Sequence, residues 1–391
     1  MRKIPNIVTS TILSMSLLTV MAGAAIAPAL GIIRQHFLSA PDIVIQMIVS
    51  IPALFIIVTN LLFLPISRHM RTRSIAVTGL LLYVASGAGC YFVDNIYVLL
   101  AMRALLGVSV GLIMPLSTGL LSYYFPPEEQ ARLMGLSAAM NQMGGVVATL
   151  LAGILATSGW ENAFLVYLLG LVALVMVAIW LPDEKLSSEN KRGKAFEPRQ
   201  LLKFHPSVIG MLLLMMIFFV YPTNFAIVAT RQAEMSTEAI TIIMVALDVV
   251  AFFAGLAFGQ MMEKFRVAMK YVAPACFLIG YLTLIGARET AMITLGSAII
   301  GIANGLGVPY LLTIASIKGG RNSAATVMPL LSAALYLGQF VSPIIVMPAG
   351  KAIFGADDVT APYKVAVIIC LIFFVQVWTT RHFQSLPPEK K

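Results

Sequence analysis

Two ionisable side chains stand well inside long apolar runs of this 391-residue chain, Arg103 and Asp248. A charge at the centre of a lipid-spanning helix costs roughly 2.5–3.5 kcal/mol on insertion scales, so each needs a compensating role. Asp248 lies in Met244-Val-Ala-Leu-Asp248-Val-Val, far from the flanking acids Glu238 and Glu263. A carboxyl at that depth could load and release a proton as its hydration and its charged neighbours change, or it could simply pin its helix through a hydrogen bond. Arg103 has two readings as well. It could bind an anionic group or tune a nearby proton site, or it could clamp the carbonyls of neighbouring helices.

Neutral polar residues supply a second set of candidates. Tyr221, Asn224 and Phe225 flank Pro222, while Asn304 and Tyr310 lie beside or near Pro309. Asn141 and Gln142, with Tyr336 and Gln339, fall at or near matching positions of the two halves. Each could be helix–helix glue, and as a set they could also line a binding cavity. The 22 methionines add soft, repackable surface suited to a broad apolar ligand or to generic membrane core. Enzymatic chemistry is not supported. His36, His69, His205 and His382 fall in loops or at the ends of apolar runs, and there is no H-E-x-x-H helix, G-x-S-x-G elbow or P-loop. No cofactor or metal is expected.

The elements that must position these residues are membrane helices. The chain is 59% hydrophobic and 11% charged, whereas a soluble domain is about a quarter charged. Apolar runs of the roughly 20 residues that span a bilayer recur along the chain without the alternation of a β-barrel. Breaks between them predict twelve spans, near 8–33, 43–66, 74–93, 97–124, 132–156, 161–182, 206–230, 239–262, 270–287, 291–317, 323–347 and 362–380. Lys and Arg then fall twenty on one side and five on the other, which predicts both termini in the cytoplasm. This bias and anionic lipid explain the net charge of +9 without nucleic acid. Cys90, Cys276 and Cys370 all lie in spans and read as small core residues.

A shift of 194 residues brings special residues of the two halves into register. Pro28 falls on Pro222, Gly107 on Gly301, Gly111 on Gly305, Pro115 on Pro309 and Gly144 on Gly338. Glycine permits close helix approach and proline bends a helix, so these identities predict a duplicated six-span unit with shared packing. The expected organisation is an all-α membrane protein of two pseudo-symmetric bundles, 1–182 and 206–391, joined by a polar cytoplasmic linker at 183–205. Ser297 stands where Arg103 stands in the first half.

At this point the chain resembles the major facilitator superfamily. Arg103-x-x-x-Gly107-x-x-x-Gly111 looks like that family's fourth-span motif, and Gly144-x-x-x-Ala148-Thr149-x-x-Ala152-Gly153 resembles its antiporter motif with Ala148-Thr149 in place of Gly-Pro. Ser342-Pro343 keeps the proline in the second half. The loop signature after the second span is altered, with Leu64, Arg68 and Arg71 at its glycine, acid and glycine positions; Gly259 to Glu263 and Lys264 preserve it better. The resemblance implies alternating access around a central cavity lined by the first, fourth, seventh and tenth spans. It nominates a secondary-active transporter, expected to be a monomer in a bacterial inner membrane, exchanging protons for small, partly apolar molecules. Uptake or exchange of a metabolite anion, with Arg103 as counter-charge, is the competing transport reading. The first span carries hydroxyls at Ser14, Ser16 and Thr19 but no carboxylate, which argues against a site for cationic drugs. A membrane sensor built on the same fold is the alternative of another class.

Overall fold

The computed structural model describes residues 6–124, 127–183, 198–319 and 323–380. Among these residues every regular element is helical, and twelve helices are long and apolar enough to cross a membrane. They are Asn6–His36, Asp42–Phe63, Thr72–Phe92, Ile96–Leu121, Ala139–Ala156 and Trp160–Trp180, then Phe204–Ala233, Thr237–Met262, Met269–Gly286, Thr290–Ala315, Leu330–Phe354 and Ala361–Thr379. Helices are favoured because they satisfy every backbone group within the segment, which lipid cannot do. All twelve expected spans are present, and they differ from expectation mainly at their ends.

Two spans are less regular than their apolar patterns suggest. The first is α-helical over Asn6–Ala24, tightens to a 3-10 turn at Ala27–Ala29 around Pro28, and resumes over Leu30–His36. Proline removes a backbone donor and crowds the preceding turn, so a local break there is expected. Its repeat partner Pro222 lies inside a continuous helix, Pro198–Ala233. The sixth span starts as 3-10 helix, Trp160–Leu169, after Gly159, whose φ of 147° is a conformation that favours glycine.

The chain divides into two compact units, Met1–Lys191 with Ser236–Thr241, and Arg192–Met235 with Ile242–Lys391. In the first unit the first span packs on the fourth and fifth, the second on the fourth, and the third on the fourth and sixth. In the second unit the seventh packs on the tenth and eleventh, and the ninth on the tenth and twelfth. The repeat is visible at atomic level in the glycines. A Cβ on Gly107 or Gly111 of the fourth span would collide with Pro52 or Thr59 of the second, and one on Gly301 or Gly305 of the tenth with the Leu247 or Ala251 carbonyl of the eighth. Gly144 presses on the Leu17 carbonyl of the first span, and Gly338 on the Leu212 carbonyl of the seventh, where a Cβ would sit 2.6 Å away. Small residues let the backbones touch, and dispersion between them replaces the hydrophobic drive that lipid does not supply. The linker expected at 183–205 lies mostly outside the described residues, as do the basic termini and the side chains of Leu64, Arg68 and Glu263.

Candidate functional site

Arg103 is fully buried in the first unit, and each of its three guanidinium nitrogens donates a hydrogen bond. Nε donates to the Ile48 carbonyl at 2.7 Å, Nη1 to the Tyr167 hydroxyl at 2.5 Å and Nη2 to the Ala22 carbonyl at 2.5 Å. These partners come from the second, sixth and first spans, so one planar fork joins four helices of the unit. Tyr167 also donates to the Ala22 carbonyl at 3.1 Å, and its ring meets Tyr83 edge-on with centroids 5.6 Å apart. The Tyr83 hydroxyl donates to the Leu18 carbonyl at 3.2 Å.

The second unit repeats the tyrosines without the arginine. Tyr281 and Tyr363, on the ninth and twelfth spans, also lie 5.6 Å apart, and Tyr281 donates to the Ile217 carbonyl at 2.6 Å. Ser297 is too short to reach those carbonyls from the arginine position. It accepts instead from the Tyr221 hydroxyl at 2.8 Å and donates to the Ile293 carbonyl at 2.8 Å. The Tyr363 hydroxyl is buried and has no hydrogen-bond partner among the described residues. These two tyrosine pairs escape a search at one fixed offset, because Tyr83 and Tyr281 are 198 apart and Tyr167 and Tyr363 are 196 apart.

Asp248 is part-buried on the eighth span, engaged by neighbours, and within electrostatic reach of the Tyr221 hydroxyl. Tyr221 stacks on Phe225 at 4.5 Å and 16°, and both are 1% exposed. Asn224 is buried too, its amide donating to the Val220 carbonyl at 2.9 Å and the Thr223 hydroxyl at 3.0 Å. Asn304 is part-buried on the tenth span, with an Oδ1 that lacks a partner among the described residues. Tyr310 and Gln339 are buried, Tyr336 is part-buried and Gln142 is exposed. Asn141 accepts from the Thr19 hydroxyl at 2.7 Å, one turn from a Ser16–Ser137 contact of 2.7 Å, so the first and fifth spans meet through hydroxyls. Thus Tyr221, Ser297 and Asp248 are brought into one neighbourhood, whereas Asn141 and Gln142 belong to the other unit.

At and beyond the span ends, some charged groups form pairs. Arg71 lies 2.7 Å from Asp183, and that hydrogen bond raises its pKa. Burial opposes ionisation of Asp358, but hydrogen bonds from Lys364 and Thr360 outweigh it and hold the carboxyl below its usual range. Among the described residues no group of three or more His, Cys, Asp or Glu side chains could hold a metal ion.

Twelve apolar spans in a repeated six-span arrangement, with a few polar groups at depth, define a multi-pass membrane protein. The Major Facilitator Superfamily model matches residues 12–343, and the chain belongs to that family. Its fold and family are those of transporters, not enzymes. The quinolone resistance protein NorA of Staphylococcus aureus is 25% identical over 342 residues, which cover 81% of this chain and 82% of that one. Other matches are local. The probable anion transporter 4, chloroplastic, of Arabidopsis thaliana is 33% identical over 89 residues, 22% of this chain and 16% of that protein. The riboflavin transporter RibZ of Clostridioides difficile is 24% identical over 173 residues, 44% and 37%. The chain therefore spans well under two thirds of either of those relatives. A solved bacterial homologue of the human lysosomal transporter Spinster, inward-facing and occupied, superposes with a TM-score of 0.78 at 15% identity, covering 95% of both chains.

Proposed function

We propose that this transporter exports small, partly apolar molecules in exchange for protons, with Asp248 as the coupling carboxylate. The observation that carries the reading is the position of Asp248. Among the described residues it is the one carboxylate in the middle of a span; the others lie at span ends or between spans. Counted from Thr237 it lies about 16 Å along the helix, at 1.5 Å per residue. A part-buried acid at that depth changes its proton affinity when hydration changes, which is what alternating access does to groups between the two sides. The bundles 1–182 and 206–391 are the proposed moving bodies, with Tyr221, Asn224, Phe225, Asn304, Tyr310, Asn141, Gln142, Tyr336 and Gln339 as the proposed polar and aromatic contacts for substrate.

The similarity to a quinolone resistance protein supports export of an apolar, drug-like substrate. The anion-exchange reading needs an available cation, and all three arms of the Arg103 fork already meet acceptors of the protein itself. We therefore assign Arg103 a positioning role and leave coupling to Asp248. The test is transport into and out of proteoliposomes under an imposed pH gradient. Asp248→Asn keeps shape and hydrogen-bonding capacity while mimicking the protonated acid, so it should abolish gradient-driven accumulation and retain substrate binding. Accumulation equal to wild type would remove Asp248 from coupling. Substrate binding with no transport by wild type would favour the sensor reading.

A further inference from the structure

Lys270 is buried to 4% exposure although it is only the second residue of the ninth span, Met269–Gly286. It begins the stripe that this helix turns inward, ahead of Ala273, Phe277, Tyr281 and Leu284. No carboxylate among the described residues pairs with it. Its ammonium lies over the Tyr271 ring, 4.7 Å from the centroid, and Tyr271 stacks on Phe374 of the twelfth span at 5.2 Å and 27°. The helix end adds to the local positive field. Ala268 provides no side-chain cap and the first turn holds no acid, so the positive end of the helix dipole and the ammonium share one sign. A buried cation in the first turn of a helix is unfavourable on both counts unless an anion joins it.

The surroundings identify which anion. Lys270 stands at the edge of the apolar span, the depth at which lipid phosphates lie and at which Lys and Tyr anchor helices. The turn just before it shows apolar side chains outward, Phe265 at 41% and Val267 at 43% exposure, with the Lys264 ammonium 5.7 Å from the Phe265 ring. Alternating basic and apolar side chains suit a segment lying in the headgroup layer, not one standing in water. We propose that the junction Lys264–Tyr271 binds the phosphate of an anionic membrane lipid, with Lys270 as its buried anchor and the Tyr271–Phe374 pair as the shelf beneath it.

The test uses the full-length protein in lipid nanodiscs, with phosphatidylglycerol titrated into phosphatidylcholine and thermal unfolding and retained lipid as readouts. Wild type should gain thermal stability and retain phosphatidylglycerol as its fraction rises. Lys270→Gln should bind it about fivefold more weakly, the share of one interfacial lysine. Lys270→Arg should recover most of the binding. Lys351→Gln, an exposed basic site at the far end of the eleventh span, should match wild type. Should Lys270→Gln not fold, the wild-type titration and Lys270→Arg still decide. A wild type indifferent to phosphatidylglycerol overturns the proposal, as does unaltered lipid binding in Lys270→Gln. Stabilisation by free inorganic phosphate in pure phosphatidylcholine would make the site one for a soluble anion, and rescue of Lys270→Gln by Glu263→Gln would make it an internal ion pair. Either result defeats the lipid assignment without touching transport.

Discussion

Replacing Arg103 separates its two possible roles, clamp and charge. The guanidinium makes three hydrogen bonds to three different spans, at 2.7, 2.5 and 2.5 Å. Bonds to a charged donor are worth about 1.5–3 kcal/mol each, but Arg103→Met also removes a buried cation whose desolvation was a cost. Of the two carbonyls, that of Ala22 still accepts from Tyr167, whereas that of Ile48 faces Pro52 one turn on, which has no N–H to offer it. Allowing for both, a net loss of about 3 kcal/mol is expected, and at about 2–4 °C per kcal/mol for a unit of this size the melting point should fall by about 6–12 °C. Arg103→Lys keeps the charge but offers one compact donor group in place of a planar fork, so it should lose most of the same stability. The assay is thermal unfolding of detergent-purified protein, alongside transport measured well below the lower melting point. A clamp predicts that Arg103→Lys and Arg103→Met lose stability together while transport at low temperature survives in both. Wild-type melting with transport abolished in Arg103→Met and preserved in Arg103→Lys would refute the clamp and make the charge itself the functional element.

Three further outcomes follow from the packing and the interfacial charges. Gly301→Leu should lower folded yield, because its Cβ would lie 2.5 Å from the Leu247 carbonyl and overpacking costs about 1–3 kcal/mol, whereas Gly286→Leu, with nothing within 4 Å, should be neutral in the same detergent stability assay. Asp358 has a lowered pKa, so its pairing stabilises above the unfolded carboxylate value and is lost as pH falls through the folded one; Asp358→Asn should cost at most about 1 kcal/mol near neutral pH and nothing in acid, read from melting points across pH. Tyr363→Phe should leave melting unchanged or slightly raised, because the hydroxyl removed has no partner among the described residues, while Tyr167→Phe should lower it by stranding one arm of Arg103.

The fold was legible because a bilayer forces long apolar runs and because glycine and proline mark the places where helices touch or bend. The Gly107/Gly301, Gly111/Gly305 and Gly144/Gly338 identities predicted contacts that recur in both units. The engagement of Arg103 was not legible. Two of its three acceptors are backbone carbonyls, of Ile48 and Ala22, and a carbonyl carries no residue-type signal. The tyrosine pairs were hidden for a different reason: their spacing drifts from 194 to 196 and 198. Lys270 counted in the charge bias as a cytoplasmic-side cation at the very start of the expected ninth span, yet it begins the buried stripe of that span. A lysine stem can enter an apolar stripe while its head stays near the boundary, so composition alone does not show where it points.

The two units show what duplication leaves free to change. Backbone contact between helices depends on the absence of a side chain, so the glycine at each crossing is held in both copies. A polar slot has several solutions. In the first unit an arginine spans the gap to the Ala22 carbonyl; in the second, the Tyr281 hydroxyl reaches the Ile217 carbonyl and Tyr221 fills the space toward Ser297. The first solution places a guanidinium among acceptors from three other spans that hold it fixed. In the second, the hydroxyls of Tyr221 and Ser297 meet in that place, with Asp248 within electrostatic reach of Tyr221. A carboxylate beside a fixed arginine would be held ionised, and Ser297 places no such cation in the second unit. If that asymmetry matters for coupling, Ser297→Arg should favour the charged form of Asp248 and shift the pH dependence of transport toward acid. A variant that folds and binds substrate yet keeps the wild-type pH profile would mean that the tyrosine–serine pair is packing alone.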